Sequence, residues 1–409
     1  MRNTALWMLV GLALAAVGLG LVLADNHGDT GDVRVNARRL DDGRVEVALQ
    51  QRTGAGWEAR QLPERRFLPV DAPTGVWRSS SDVALSTIDD DAQEMFCLVT
   101  HARPGDETFW EFRFAGTAHR WDVYHEGVDV VVKHGATPEL QAQMIEECLT
   151  EGAAAIGSTL AAPEVISDVL SEVREQGIVV VTFNSGLEDY RAARSARHIS
   201  IDERLSGTVV AQELVSRGVE GPLLCVIHEL RNVGLDQRCG GLEAAYGNGE
   251  VVRVRVSGVD DLGTTSAELR MRVSERDDWG AIVTLNSEVG IAALEVVDAL
   301  GRSHPLATYD QNREVLEAIR DGRMLFAVDT LPSYQAWYAL SSMLFLVRTE
   351  PRVRQLYGIE DPSVILSQVP ILLGPRLFTQ ENARDWLQAV YGTDRAAVTT
   401  EIDPDGESN

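Results

Sequence analysis

From Met95 onward, short apolar runs alternate with longer stretches whose apolar positions recur at helical spacing. The runs include Phe96-Cys97-Leu98-Val99, Val128-Asp129-Val130-Val131-Val132, Ile178-Val179-Val180-Val181 and Leu223-Leu224-Cys225-Val226-Ile227. Others fall at 153–156, 198–201, 251–254, 281–284, 306–309 and 325–328. Between them, segments 139–150, 164–176, 204–216, 236–246, 264–273, 288–299, 313–321 and 334–347 carry charges at helical spacing. Strands apolar on both faces, alternating with helices, predict parallel sheets covered on each side. Single cores stop growing near about 250 residues. Two doubly wound α/β lobes are therefore expected within the 409 residues, in place of one large sheet.

The region before Met95 follows a different period. Val33-x-Val35-x-Ala37 and Val45-x-Val47-x-Leu49 alternate around Asp41-Asp42-Gly43, which predicts a hairpin. Phe67-Leu68-Pro69-Val70 adds a candidate strand, and Ser79 to Asp91 reads as a polar linker. At the start, Arg2 precedes an uncharged stretch from Ala5 to Ala24 that ends in Val22-Leu23-Ala24. This fits an export signal cleaved after residue 24, with an uncleaved membrane anchor as the alternative. Either way, residues 25 onward are expected outside the cytoplasm.

Charge narrows the partners. A net charge of −25 without any Lys/Arg-rich run excludes a phosphate-backbone partner, so no nucleic acid is expected. The 4 cysteines, Cys97, Cys148, Cys225 and Cys239, are too few for a disulfide framework, and all lie in apolar segments. Free, buried thiols are the preferred reading. A bridge between Cys225 and Cys239, on a strand and the helix after it, is the alternative in an oxidising compartment.

In doubly wound sheets, ligands sit beyond the carboxyl ends of the strands. The residues there are polar in a consistent way. His101, Asp106, Phe109 and Trp110 follow the first run; Asn184 and Asp202 follow the runs ending at Val181 and Ile201. In the second half stand His228 and Asn232, with Arg238 on the next helix, then Asn286, Asp310 and Thr330. Taken singly, many of these are ordinary helix caps, structural histidines or core aromatics. Recurring across both halves, they suit a sugar-like ligand, whose hydroxyls need paired donors and acceptors and whose C–H faces lie against aromatic rings.

The order of these segments resembles the type I periplasmic-binding superfamily, specifically the simple-sugar (ribose- and galactose-like) receptors of ABC importers. The resemblance spans roughly residues 94–393. It is carried by Val99-Thr100-His101-Ala102-Arg103-Pro104-Gly105-Asp106, Val181-Thr182-Phe183-Asn184-Ser185-Gly186, Asn232 to Cys239, Thr308-Tyr309-Asp310 and Ala327-Val328-Asp329-Thr330-Leu331-Pro332. It implies a Venus-flytrap, two lobes joined by a three-strand hinge, with a small β-rich N-terminal extension. The implied division is 1–24 signal, 25–92 extension and linker, 93–203 plus 331–358 first lobe, 204–330 plus 359–395 second lobe, and 396–409 acidic tail.

The resemblance further implies Phe109 and Trp110 as stacking rings, Asn184 on ring hydroxyls, Arg238 reaching in from the second lobe, Asn286 and Asp310 as amide and carboxylate, and Thr330 near the hinge. Two positions depart from the ribose pattern: Ser185 where an Arg is usual, and Thr330 in place of Gln. They leave room for another sugar, a polyol or a nucleoside. The expected partners are a small polar ligand and a membrane permease, with the chain a monomer and no cofactor or metal. Of the rivals, an enzyme lacks a motif: His228-Glu229 opens like a zinc-protease helix, but Asn232 occupies the second histidine's place. A sensor module that signals to a membrane partner is the other alternative.

Overall fold

The computed structural model describes residues 33–39, 45–53, 56–59, 93–103, 107–123, 125, 127–349, 351 and 369–391. The expected export segment, strand at Phe67–Val70, linker and acidic tail, together with Asp106, lie outside the described residues. The chain divides into two compact units, 1–90 and 91–409.

In the first unit, β1 (Val33–Arg39), β2 (Val45–Thr53) and β3 (Gly56–Ala59) form an antiparallel sheet in that order. Val35 pairs with Leu49 and Ala37 with Val47, so the two alternating series face each other as the hairpin pattern requires. The third strand had no clear signal in the sequence.

The second unit holds two six-stranded sheets. The first contains β4 (Glu94–Thr100), β5 (Val128–His134), β6 (Ala155–Thr159), β7 (Val179–Phe183), β8 (Arg197–Ile201) and, far along the chain, β14 (Ile371–Leu373). Its order is β14-β8-β7-β6-β4-β5, parallel throughout. The second contains β9 (Leu223–Ile227), β10 (Val251–Arg255), β11 (Ala281–Thr284), β12 (Leu306–Tyr309), β13 (Phe326–Asp329) and β15 (Arg376–Thr379). Its order is β10-β9-β11-β12-β13-β15, with only β15 antiparallel.

The unbroken apolar runs are explained by what covers each face. Phe96 and Leu98 point into a layer with Trp121, Phe183 and Met343, while Cys97 and Val99 point into another with Ile145 and Leu170. Likewise Leu224 and Val226 meet Leu269 and Val289, and Leu223, Cys225 and Ile227 meet Val210 and Leu214. Each fully buried Leu, Val or Phe contributes about 1.5–3 kcal/mol, so the inner strands β4 and β9 are apolar on both faces, while the edge strands β5 and β10 expose Asp129, Arg253 and Arg255.

The chain passes between the sheets at Asp202, between Asp329 and Pro332, and between Leu373 and Arg376. The third is a correction: β14 pairs with β8, so residues 371–373 belong to the first lobe and not to the second. Both strands flanking that passage are short edge strands, too brief to show a period.

The cysteines are a second correction. Cys225 is bonded to Cys239, and Cys97 to Cys148, so each lobe carries one bridge from a strand to a helix packed on it. A Cα separation of 6.0 Å in both pairs lies in the normal disulfide range. The apolar setting that suggested free thiols is the same setting that brings the sulfurs together.

Candidate functional site

At the carboxyl ends of the two sheets the lobes face each other across a cavity of about 400 Å³. The first lobe supplies His101, Arg103, Glu139 and Gln141 to its wall; the second supplies His228, Glu229, Arg231, Asn232 and Asp260. His101 leaves β4 with its backbone N–H on Thr159 Oγ1 at 3.1 Å and its Nδ1 2.9 Å from the same oxygen. That leaves Nε2 facing the other lobe, 3.4 Å from Glu229 Oε2 and 3.4 Å from Asn232 Nδ2. His228 Nε2 flanks the same carboxylate at 3.5 Å. Burial presses the Glu229 carboxyl upward, but the imidazoles of His101 and His228 outweigh it and hold the group well below the usual carboxylate range.

A chain of hydrogen bonds runs inward from this cavity. Asn232 caps the helix Val233–Ala245 through Gly234 N and accepts from Ser185 Oγ, on the first lobe, at 3.0 Å. Ser185 Oγ also lies 3.2 Å from Asn184 Oδ1, and Asn184 Nδ2 donates to Gln335 Oε1 at 3.2 Å. Gln335 donates to the Thr330 carbonyl, and the Thr330 hydroxyl donates to Asp310 Oδ1, each at 2.7 Å. Burial lifts the Asp310 carboxyl to about 6, although Arg238 and the Thr330 hydroxyl both work to lower it.

Backbone strain concentrates here. Asn184, Arg231, Asp310 and Leu331 have positive φ of 69°, 62°, 63° and 61°. Such conformations cost about 1–3 kcal/mol each and persist where surrounding structure holds them, commonly at ligand clamps and hinges.

The second passage is pinned by Asp329, which is fully buried. Its two carboxylate oxygens accept from Arg113 of the first lobe and from Arg376 on β15, both at 2.9 Å. The Leu331 N–H donates to the same carboxylate at 3.0 Å.

The expected site residues thus divide. His101, His228 and Asn232 wall the cavity, and Asn184, Thr330 and Asp310 form the inner chain. Phe109 and Trp110 are buried among protein rings: Trp110 lies edge-on to His101 at 5.0 Å and to Phe109 at 4.7 Å. Trp110 packs against the histidine and Phe109 against Trp110, and both rings are buried.

Three residues have other partners. Arg238 grips Glu203 through its Nε and Nη2 at 2.6 and 3.1 Å, with the guanidinium 4.5 Å above the Tyr309 ring. Gly207 and Gly241 allow this pair, because a Cβ at either would collide with the backbone of the facing helix. Asp202 caps the helix Glu203–Ser216 through Leu205 N and borders a different groove, beside Glu188 and Arg204. Asn286 caps the helix Ser287–Ala299 by accepting from Glu288 N and Val289 N. Gln335 was not singled out from the sequence, and Glu229 and Asp329, though read as polar residues at strand ends, were not counted among the site residues, because an amide within a helix, an acid beside a histidine and a strand-terminal Asp each have ordinary uses.

Residues 105–351 match the family model described as periplasmic binding protein domain. A D-ribose/D-allose-binding protein of Pseudomonas aeruginosa is 21% identical over 262 residues, which is 62% of this chain and 80% of that protein. A carbohydrate transporter from Acidothermus cellulolyticus 11B, solved with myo-inositol, aligns with a TM-score of 0.65 at 20% identity, over 73% of this chain and 98% of that one. An ABC transporter solute-binding protein from Actinobacillus succinogenes 130z with bound D-allose aligns with a TM-score of 0.58 at 16% identity, over 71% and 99%. At these identities the structural likeness speaks for the two-lobed fold.

Proposed function

Because this chain belongs to the periplasmic binding protein family, we propose that it is an exported, non-enzymatic receptor that encloses a small polyhydroxylated ligand between its lobes and delivers it to an ABC importer. The observation that carries this reading is the polar chain from His101 and Asn232 through Ser185, Asn184, Gln335 and Thr330 to Asp310. It draws on both lobes and on the hinge, so a ligand that takes over some of these bonds is held only when the lobes are shut.

A neutral monosaccharide is the preferred ligand. Arg103 and Arg231, the arginines of the cavity wall, are already engaged by Asp260, Glu139 and Glu164. That leaves imidazoles, amides, hydroxyls and carboxylates to serve hydroxyl groups, which both donate and accept. The D-ribose/D-allose-binding relative and the D-allose-bound neighbour support a sugar. A cyclic polyol is the second reading, favoured by the neighbour solved with myo-inositol.

The test is a thermal-shift screen of the purified chain against aldoses, polyols and nucleosides. A true ligand at a hundredfold excess over Kd adds about 2.7 kcal/mol of stability. A panel in which only nucleosides, or none of these classes, shift the melting temperature overturns the sugar reading.

A further inference from the structure

Arg231 stands at the rim of the cleft on the second lobe, in left-handed backbone. Its guanidinium crosses to the first lobe and meets two carboxylates, Nη1 on Glu139 at 3.0 Å and Nε on Glu164 at 2.9 Å. Those acids occupy the first turns of separate helices, Pro138–Thr150 and Pro163–Glu175. Two residues on, the Val233 N–H donates to the Ala161 carbonyl of the first lobe at 3.0 Å. Farther along the rim, Arg103 of the first lobe pairs with Asp260 of the second at 2.6 Å. All these bonds join protein to protein, and none requires a ligand. A strained backbone that aims one long side chain across the gap is what a built contact would need, whereas a chance surface pair would not.

We propose that Arg231 is a latch: a positioning residue that touches no ligand, holds the lobes shut through Glu139 and Glu164, and sets how fast the cleft opens. The inference concerns regulation of the cleft read above as the ligand site, but it rests on lobe-to-lobe bonds alone. A contact made equally in the empty and the loaded closed forms contributes nothing differential to binding, so it slows entry and exit together where the empty protein is already shut. The latch therefore governs rates more than affinity.

The experiment compares full-length wild type with R231G, whose glycine suits the positive φ while removing the guanidinium. A second variant, E139Q/E164Q, leaves the Arg231 backbone untouched. Small-angle scattering of ligand-free protein is read alongside stopped-flow exchange of D-ribose, D-allose and myo-inositol. Both variants are expected to be larger than wild type without ligand. Any probe that binds should dissociate roughly fivefold faster, the scale of one exposed ion-pair network. Association should also rise, so that Kd moves less than the dissociation rate, and R231K should recover part of the difference. At 1 M salt, where the screening length falls to about 3 Å, wild type should approach R231G.

Scattering of R231G and E139Q/E164Q identical to wild type overturns the latch. So does a loss of affinity with no change in ligand-free shape, because that would make Arg231 a ligand contact. Should no probe bind, the scattering comparison still decides the matter, and the sugar reading fails separately.

Discussion

Asp310 combines three conditions at one position: left-handed backbone, near-complete burial and a hydrogen bond from Thr330. Its carboxyl titrates near 6 in the folded chain, above the ordinary 3.8. An acid raised in this way stabilises the fold fully only below its unfolded value, and that contribution is lost as pH climbs from about 4 to 6. Ligand binding has the opposite sense. Hydroxyls donating to the ionised carboxylate favour proton release, so affinity should weaken as pH falls through about 6, by at most about tenfold per unit. Calorimetric titration from pH 5 to 8 checks this, with Asp310→Asn as the control that should show a flat profile. The same substitution keeps a side chain tolerant of positive φ but removes a charge-assisted acceptor worth about 1.5–3 kcal/mol, so Kd should weaken by roughly 10–100-fold. Asn286→Ala, by contrast, should lower stability by about 1 kcal/mol as a lost cap while ligand binding persists. Both residues looked alike in the sequence, each a polar group after an apolar run. The difference arises from whether the side chain turns back onto its own helix, and a linear pattern carries no record of that turn.

At the level of elements, the long apolar runs and the helical stretches between them were legible because burial on two faces leaves no room for ambiguity in composition. Strands β14 and β15 were not, since an edge position relaxes that demand and a few residues carry no period. The disulfides were hidden for a related reason: a buried thiol and a buried half-cystine are equally apolar. Each bridge fastens a cleft-forming strand, β4 or β9, to a helix packed against it. With 14 residues of separation, removing Cys225–Cys239 by double serine substitution should lower stability by about 3 kcal/mol. Removing Cys97–Cys148, with 51 residues of separation, should lower it by about 4 kcal/mol. Urea unfolding of the two variants checks both the losses and their order. Ligand binding should survive in each at temperatures where the lobe remains folded.

For the whole molecule, two lobes could be anticipated from size and alternation, but where they are bound together could not, because those bonds join residues from 47 to 216 positions apart. The Asp329 carboxylate shows the point: Arg113 precedes it by 216 residues and Arg376 follows it by 47. Asp329→Ala would leave two guanidinium groups without their shared acceptor, and a loss of about 3 kcal/mol is expected in urea unfolding. Because one buried anion fastens a first-lobe helix, the second crossing and the start of β15 at a single point, the molecule has an axle as well as a hinge. Rotation about that axle should displace the floor of the crevice little, and the exposed Leu230, beside Arg231 on the cavity wall, more. A spin label at Leu230 paired with one on the opposite rim should therefore report opening with large distance changes, and a pair placed beside the axle should stay nearly silent through the same motion.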